Sequence, residues 1–84
     1  MHVFNPRKYL SGFRDANRQI REARSKKGTA YARQYAHDCH EHCDKTMNAT
    51  KRDDRYSYAV GQAGAFGYFA SNGEIQSVRF KEGK

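Results

Sequence analysis

The sequence predicts an α+β fold: a two-helix antiparallel hairpin followed by a three-stranded antiparallel β-meander, in the order α-α-β-β-β. Three observations support this prediction. Apolar residues recur at helical spacing up to residue 47, a period of two follows from Tyr56, and Asn72-Gly73 separates two strand-like runs. With 84 residues, of which 37% are hydrophobic, the chain fits one small domain that folds alone or as a homodimer. The predicted parts are a helical hairpin at 1–47, a linker at 48–55, a β-meander at 56–80 and a tail at 81–84.

The first helix is predicted to start at Asn5-Pro6, with Asn5 as the N-cap and Pro6 in the first helical position. An apolar face follows at spacings of four and three, and the helix runs to about Ser25, with Gly28 as its stop. This face consists of Tyr9, Phe13, Ala16, Ile20 and Ala23.

The second helix is predicted to start near Thr29. At about 100° per residue, its small and apolar residues fall within roughly 80° of arc. These residues are Ala32, Ala36, Cys39, Cys43 and Met47. Because the connection at Gly28 is short, we expect this narrow face to pack against the apolar face of the first helix.

The strands are predicted from the alternation of Tyr56, Tyr58 and Val60 with smaller residues, and from the runs 66–70 and 75–80 on either side of Asn72-Gly73. Gly61 and Gly64 predict a turn or bulge in the segment between them. The aromatic side chains of the predicted sheet either form the core between the sheet and the helical hairpin or present a surface for base stacking. We favour the core. They are Tyr56, Tyr58, Phe66, Tyr68, Phe69 and Phe80.

The net charge of +7 is confined to one part of the chain. Residues 1–33 hold nine Lys/Arg against Asp15 and Glu22, whereas residues 34–84 hold seven basic and seven acidic residues. A local surplus of this kind indicates a polyanionic partner, either nucleic acid or an acidic protein surface.

Four arginines of the first helix fall within about 60° of arc, roughly opposite its apolar face. We call Arg7, Arg14, Arg18 and Arg21 the arginine stripe. Further basic residues extend it around the predicted turn. They are Arg24, Lys26, Lys27 and Arg33.

Both cysteines and three of the four histidines lie within residues 37–43. Cysteine and histidine are zinc ligands, but a closed site needs four ligands and the spacing fits no common zinc motif. If a metal binds, the candidate ligands are Cys39, His42, Cys43 and His2. We favour no metal, no cofactor and no catalytic residue, with reduced cysteines in the helix interface.

The sequence therefore predicts a small basic, non-enzymatic module that binds DNA or RNA through the arginine stripe. One alternative is a phage-type small inhibitor or adaptor protein that docks on a host nucleic-acid-handling enzyme complex. Another is a zinc-binding module that uses the His/Cys cluster 37–43. No long apolar run and no signal peptide are present, so we expect a cytoplasmic protein that does not enter a membrane.

Overall fold

The computed structural model describes residues 5–49 and 54–76, which form two helices, α1 (Pro6–Ala49) and α2 (Asp54–Asn72). Gly28 interrupts α1 with a φ of 91° and a ψ of 172°. This backbone region is essentially restricted to glycine. Gly28 divides α1 into two helical parts, which we call the N-arm (residues 6–27) and the C-arm (residues 29–49).

Asn5 caps the N-arm, as the sequence predicted. Its side-chain Oδ1 accepts hydrogen bonds from the backbone N–H groups of Arg7 (3.1 Å) and Lys8 (3.3 Å). Its own backbone N–H donates to Ser57 Oγ (2.9 Å), and its Nδ2 donates to Asp54 Oδ1 (2.9 Å). The cap therefore also joins the start of α1 to the start of α2.

The chain reverses at Gly28, so the two arms form the predicted helical hairpin. The Tyr35 hydroxyl of the C-arm donates to Gln19 Oε1 of the N-arm (3.0 Å), although the two residues lie on opposite sides of the kink. Ile20 of the N-arm and Ala36 of the C-arm are both fully buried in the shared core.

Helix α2 packs against both arms. It runs parallel to the N-arm, with Ser57 near Asn5 at one end, and antiparallel to the C-arm, with Ala70 near Arg33 at the other. Phe66 and Phe69 of α2 are the largest fully buried side chains, 1% and 0% exposed. The three helical segments thus share one apolar core.

The N-arm and α2 cross through two glycines. A Cβ atom on Gly61 would overlap the carbonyl oxygen of Tyr9, and one on Gly12 would overlap the carbonyl oxygen of Tyr58. Because the obstructing atoms belong to the backbone, the helices can approach this closely only without side chains at the crossing.

The prediction of an α+β fold is wrong, because the described part of the predicted meander is helical from its start to Asn72. Residues 5–49 and 54–76 contain no strand. The alternation at Tyr56, Tyr58 and Val60 is local. The buried residues of α2 lie on more than one side of the helix, and a subset of them recurs at spacings of four: Ser57, Gly61, Ala65 and Phe69. The predicted linker lies partly in α1 and partly in α2, and residues 50–53, 77–80 and 81–84 lie outside the described residues.

Asn72-Gly73, interpreted from sequence as a hairpin turn, instead ends α2. Gly73 has a φ of 74°, and its N–H donates to the carbonyl of Phe69 (2.7 Å). The positive φ that a tight hairpin needs is also the conformation that closes a helix C-terminus, so the residue pair alone does not distinguish them.

Within the described parts of the chain, neither helix combines the length and the apolar character needed to cross a membrane.

Candidate nucleic-acid interface

The arginine stripe lies on the outer face of the N-arm. All four of its side chains are exposed, while the opposite face of the same arm buries Phe13, Ala16 and Ile20. At a rise of 1.5 Å per residue, the stripe extends over about 21 Å. The helix therefore presents one continuous basic edge to the solvent.

Only one member of the stripe has an ionic partner among the described residues. Arg18 Nη1 lies 3.5 Å from Asp15 Oδ1, and Asp15 Oδ2 also accepts a hydrogen bond from the Tyr58 hydroxyl (2.6 Å). This hydrogen bond, together with burial, raises the pKa of Tyr58 above its ordinary value, because the protonated phenol is the form that donates to Asp15. Arg14 and Arg21 form no ion pair with any residue in 5–49 or 54–76.

The four residues predicted to extend the stripe differ in what their side chains contact. Arg24 and Lys26 are exposed on the N-arm. Lys27 places its Nζ 5.1 Å from the ring centroid of Tyr31. Arg33 donates to the carbonyls of Ala70 and Ser71 at 3.0–3.2 Å, and so caps the C-terminus of α2.

The charge is segregated by helical segment. The N-arm carries eight Lys/Arg against two Asp/Glu, the C-arm carries two against three, and α2 carries one of each. Among residues 5–49 and 54–76, the excess of positive charge is therefore concentrated along the N-arm.

The two cysteines of the predicted metal cluster are in apolar surroundings. Cys43 is 5% exposed, and its Sγ lies 3.9 Å from Gln62 Oε1. Burial raises the pKa of Cys43 to about 11, with smaller contributions from Cys39 and Asp44. Burial also raises the pKa of the half-buried Cys39 thiol. Thiols that hold their proton are weak nucleophiles and weak metal ligands.

The histidines of the cluster point in different directions. His37 is exposed, with Nδ1 3.7 Å from Asp38 Oδ1 and Nε2 3.8 Å from Glu41 Oε2. The ring of His40 lies against Gly67 of α2, and His42 is exposed. Within the described residues, no three His, Cys, Asp or Glu side chains are grouped so that they could hold a metal ion. His2 lies outside those residues.

The aromatic residues assigned to a sheet are distributed along α2. Phe66 and Phe69 are core residues, while Tyr56, Tyr58 and Tyr68 are half-buried. Phe80 lies outside the described residues. The rings therefore form no common stacking platform on this helix.

Tyr31 was not among the predicted site residues. This residue, 45% exposed, is the one exposed large hydrophobic side chain in the described part of the chain. Its position four residues after Lys27 and four before Tyr35 indicated a shared face, but the intervening Gly28 separated the two helices in the prediction.

No family model, curated protein or solved structure matches this chain.

Proposed function

We propose that this protein is a non-enzymatic module that binds nucleic acid by contacting backbone phosphates with the N-arm. The observation that carries the proposal is the arginine stripe, four exposed guanidinium groups on one edge of a helix whose other face is buried. Within the described residues, the only acidic side chain paired with this edge is Asp15, which pairs with Arg18 and also accepts a hydrogen bond from the Tyr58 hydroxyl.

The spacing of the stripe suits a row of phosphates. At 1.5 Å per residue, Arg14, Arg18 and Arg21 follow one another at about 6 and 4.5 Å along the axis, and Arg7 lies about 10 Å before them. Arginine binds phosphate through parallel charge-assisted hydrogen bonds, and such contacts position a protein on nucleic acid without reading its sequence.

An acidic protein surface is the competing partner, because carboxylates accept the same hydrogen bonds from arginine as phosphates do. The inhibitor or adaptor function is therefore an outcome of the test below. The zinc-binding alternative receives no support from the protonated, buried thiol of Cys43.

The test measures binding of a labelled duplex and a labelled single strand over a range of salt concentrations. If the four arginines each neutralise one phosphate, the slope of log K against log salt is about −3.6 for duplex DNA and about −2.8 for a single strand. Arg14→Ala and Arg21→Ala should each reduce the slope by about one unit. Lys45→Ala removes an exposed cation from the C-arm and should leave the slope unchanged.

Two results would overturn the proposal. One is a quadruple alanine variant of the stripe that keeps its helical circular dichroism and binds nucleic acid as the wild type does. The other is a wild type with no salt-dependent affinity for either probe, which together with one stoichiometric, nuclease-resistant protein complex would assign the stripe to an acidic protein partner.

A further inference from the structure

The two arms leave a cavity between them near the Gly28 kink. It has a volume of about 200 Å³ and is open to solvent on one side. Its wall is formed by both arms and contains aromatic, cationic and anionic side chains. The lining residues are Gln19, Glu22, Ala23, Lys26, Lys27, Tyr31 and Tyr35.

The two aromatic side chains of this wall are fixed by contacts with the rest of the protein. The rings of Tyr31 and Tyr35 stack with centroids 6.5 Å apart and an interplanar angle of 22°. Tyr35 is fixed by its hydrogen bond to Gln19 and by an edge-on contact with the buried Phe66, at 6.2 Å and 79°. Tyr31 is thus an exposed ring on a pre-organised support, which is the form that a stacking site takes.

The charges in the wall favour an uncharged ligand group inside the cavity. Lys26 and Lys27 carry positive charge at its edge, but Glu22 lies in the same wall and would repel a phosphate. A neutral aromatic group avoids that repulsion and can stack on the tyrosine pair. The lysines then remain available for anions on either side of it.

The cavity also adjoins the arginine stripe. Glu22 directly follows Arg21 and lies one helical turn beyond Arg18, so a strand that tracks the stripe towards the kink reaches the cavity next. A base paired in a duplex is stacked between its neighbours and is not available to Tyr31, whereas an unpaired base is.

We propose that the cavity between the arms binds one unpaired base, stacked on Tyr31, and that the nucleic acid recognised by the arginine stripe is single-stranded. This inference rests on the proposed function, since the stripe supplies the phosphate contacts that bring the strand to the cavity. The ammonium group of Lys27 lies over the Tyr31 ring. When the base stacks on the ring, this group pairs with a neighbouring phosphate instead.

The test compares two single strands of about 12 nucleotides, one normal and one with abasic positions, which carry the same phosphates but differ in bases. Wild type should prefer the base-carrying strand, and Tyr31→Leu should reduce its affinity for that strand by about 5- to 150-fold. Tyr31→Phe should retain most of the affinity. Affinity for the abasic strand should not change, and the control Tyr68→Leu, on α2, should bind both strands as wild type does.

The outcomes separate this inference from the proposed function. If Tyr31→Leu binds both strands as wild type does while Arg14→Ala and Arg21→Ala bind more weakly, the stacking site is refuted and the phosphate interface stands. Tighter binding of the wild type to the duplex than to the single strand would also refute the stacking site and leave the phosphate interface standing. If wild type binds no probe, both proposals fail.

Discussion

Replacing Gly61 by alanine tests the close crossing of the N-arm and α2. The added methyl group would overlap the carbonyl oxygen of Tyr9, and it would lie 2.9 Å from the backbone nitrogen of Phe13. These obstructing atoms cannot rotate away as a side chain would. The two helices therefore have to separate, which loosens the contacts of the core around Phe13 and Ala65.

The magnitude follows from two opposing terms. Alanine stabilises a helix interior by about 1 kcal/mol relative to glycine. Overpacking costs typically 1–3 kcal/mol, and rigid backbone neighbours place this site at the upper end. We expect Gly61→Ala to lower the free energy of unfolding by about 2 kcal/mol, which in a domain of this size lowers the melting temperature by roughly 8–16 °C.

Gly64→Ala is the matched control on the same helix. Among the described residues, a Cβ at this exposed position would meet only the Tyr9 hydroxyl at 3.9 Å and a ring carbon of Phe13 at 4.0 Å, which are ordinary contacts. The helix-propensity term then acts alone, and stability should rise by about 0.5–1 kcal/mol. Both variants are measured by urea unfolding followed by far-ultraviolet circular dichroism.

Destabilisation to a similar extent by both substitutions would refute the close helical crossing. That result would be expected if Gly61 and Gly64 formed a turn with positive φ between two strands, because alanine is strained there in either position. Opposite signs at two glycines three residues apart are a result that only the helical crossing predicts.

Three further predictions concern other positions. Gly28→Ala should lower stability by about 1–3 kcal/mol although no described residue lies within 4 Å of the added methyl, because the backbone conformation itself excludes alanine; an unchanged urea midpoint would contradict this. Arg33→Ala removes the cap of α2 and should cost about 1 kcal/mol of stability while leaving the salt dependence of nucleic-acid binding unchanged; a reduced salt slope would instead place Arg33 in the interface. Folding raises the pKa of Cys43 from 9.0 to about 11, so between these pH values the folded state keeps a proton that the unfolded chain has lost. The stability of the wild type should therefore fall as pH rises from 9 towards 11. The urea midpoint of Cys43→Ala should depend less on pH over the same range.

The arrangement of α1 could be predicted from the sequence because its determinants are local. The Asn5 cap, the spacing of Phe13, Ala16 and Ile20, and the break at Gly28 each act within a few residues along the chain. The exposure of the arginine stripe follows from the same helical period, since a side chain opposite a buried face is on the outside.

The surroundings of the stripe could not be predicted in this way. Whether Asp15 neutralises one arginine or several depends on Tyr58, which is 43 residues away in sequence and donates a hydrogen bond to it. The partners of Arg33 are likewise provided by the end of α2, and the cavity beside Tyr31 exists only because the two arms face each other across the kink.

The sequence by itself determined the kinked helix α1, its cap and its charged edge, whereas only the tertiary structure decided that residues 54–72 are helical. An outer helix shows one apolar face and one polar face, but α2 lies against both arms and buries small residues on more than one side, so its pattern carries no clear helical period. Its alanines favoured a helix, as did the scarcity of β-branched residues, of which Val60 is the only one in 54–72. The glycines outweighed this signal in the prediction. Gly61 is tolerated in this helix because the backbone of the N-arm occupies the space where a side chain would otherwise be, and that contact is absent from any local stretch of sequence.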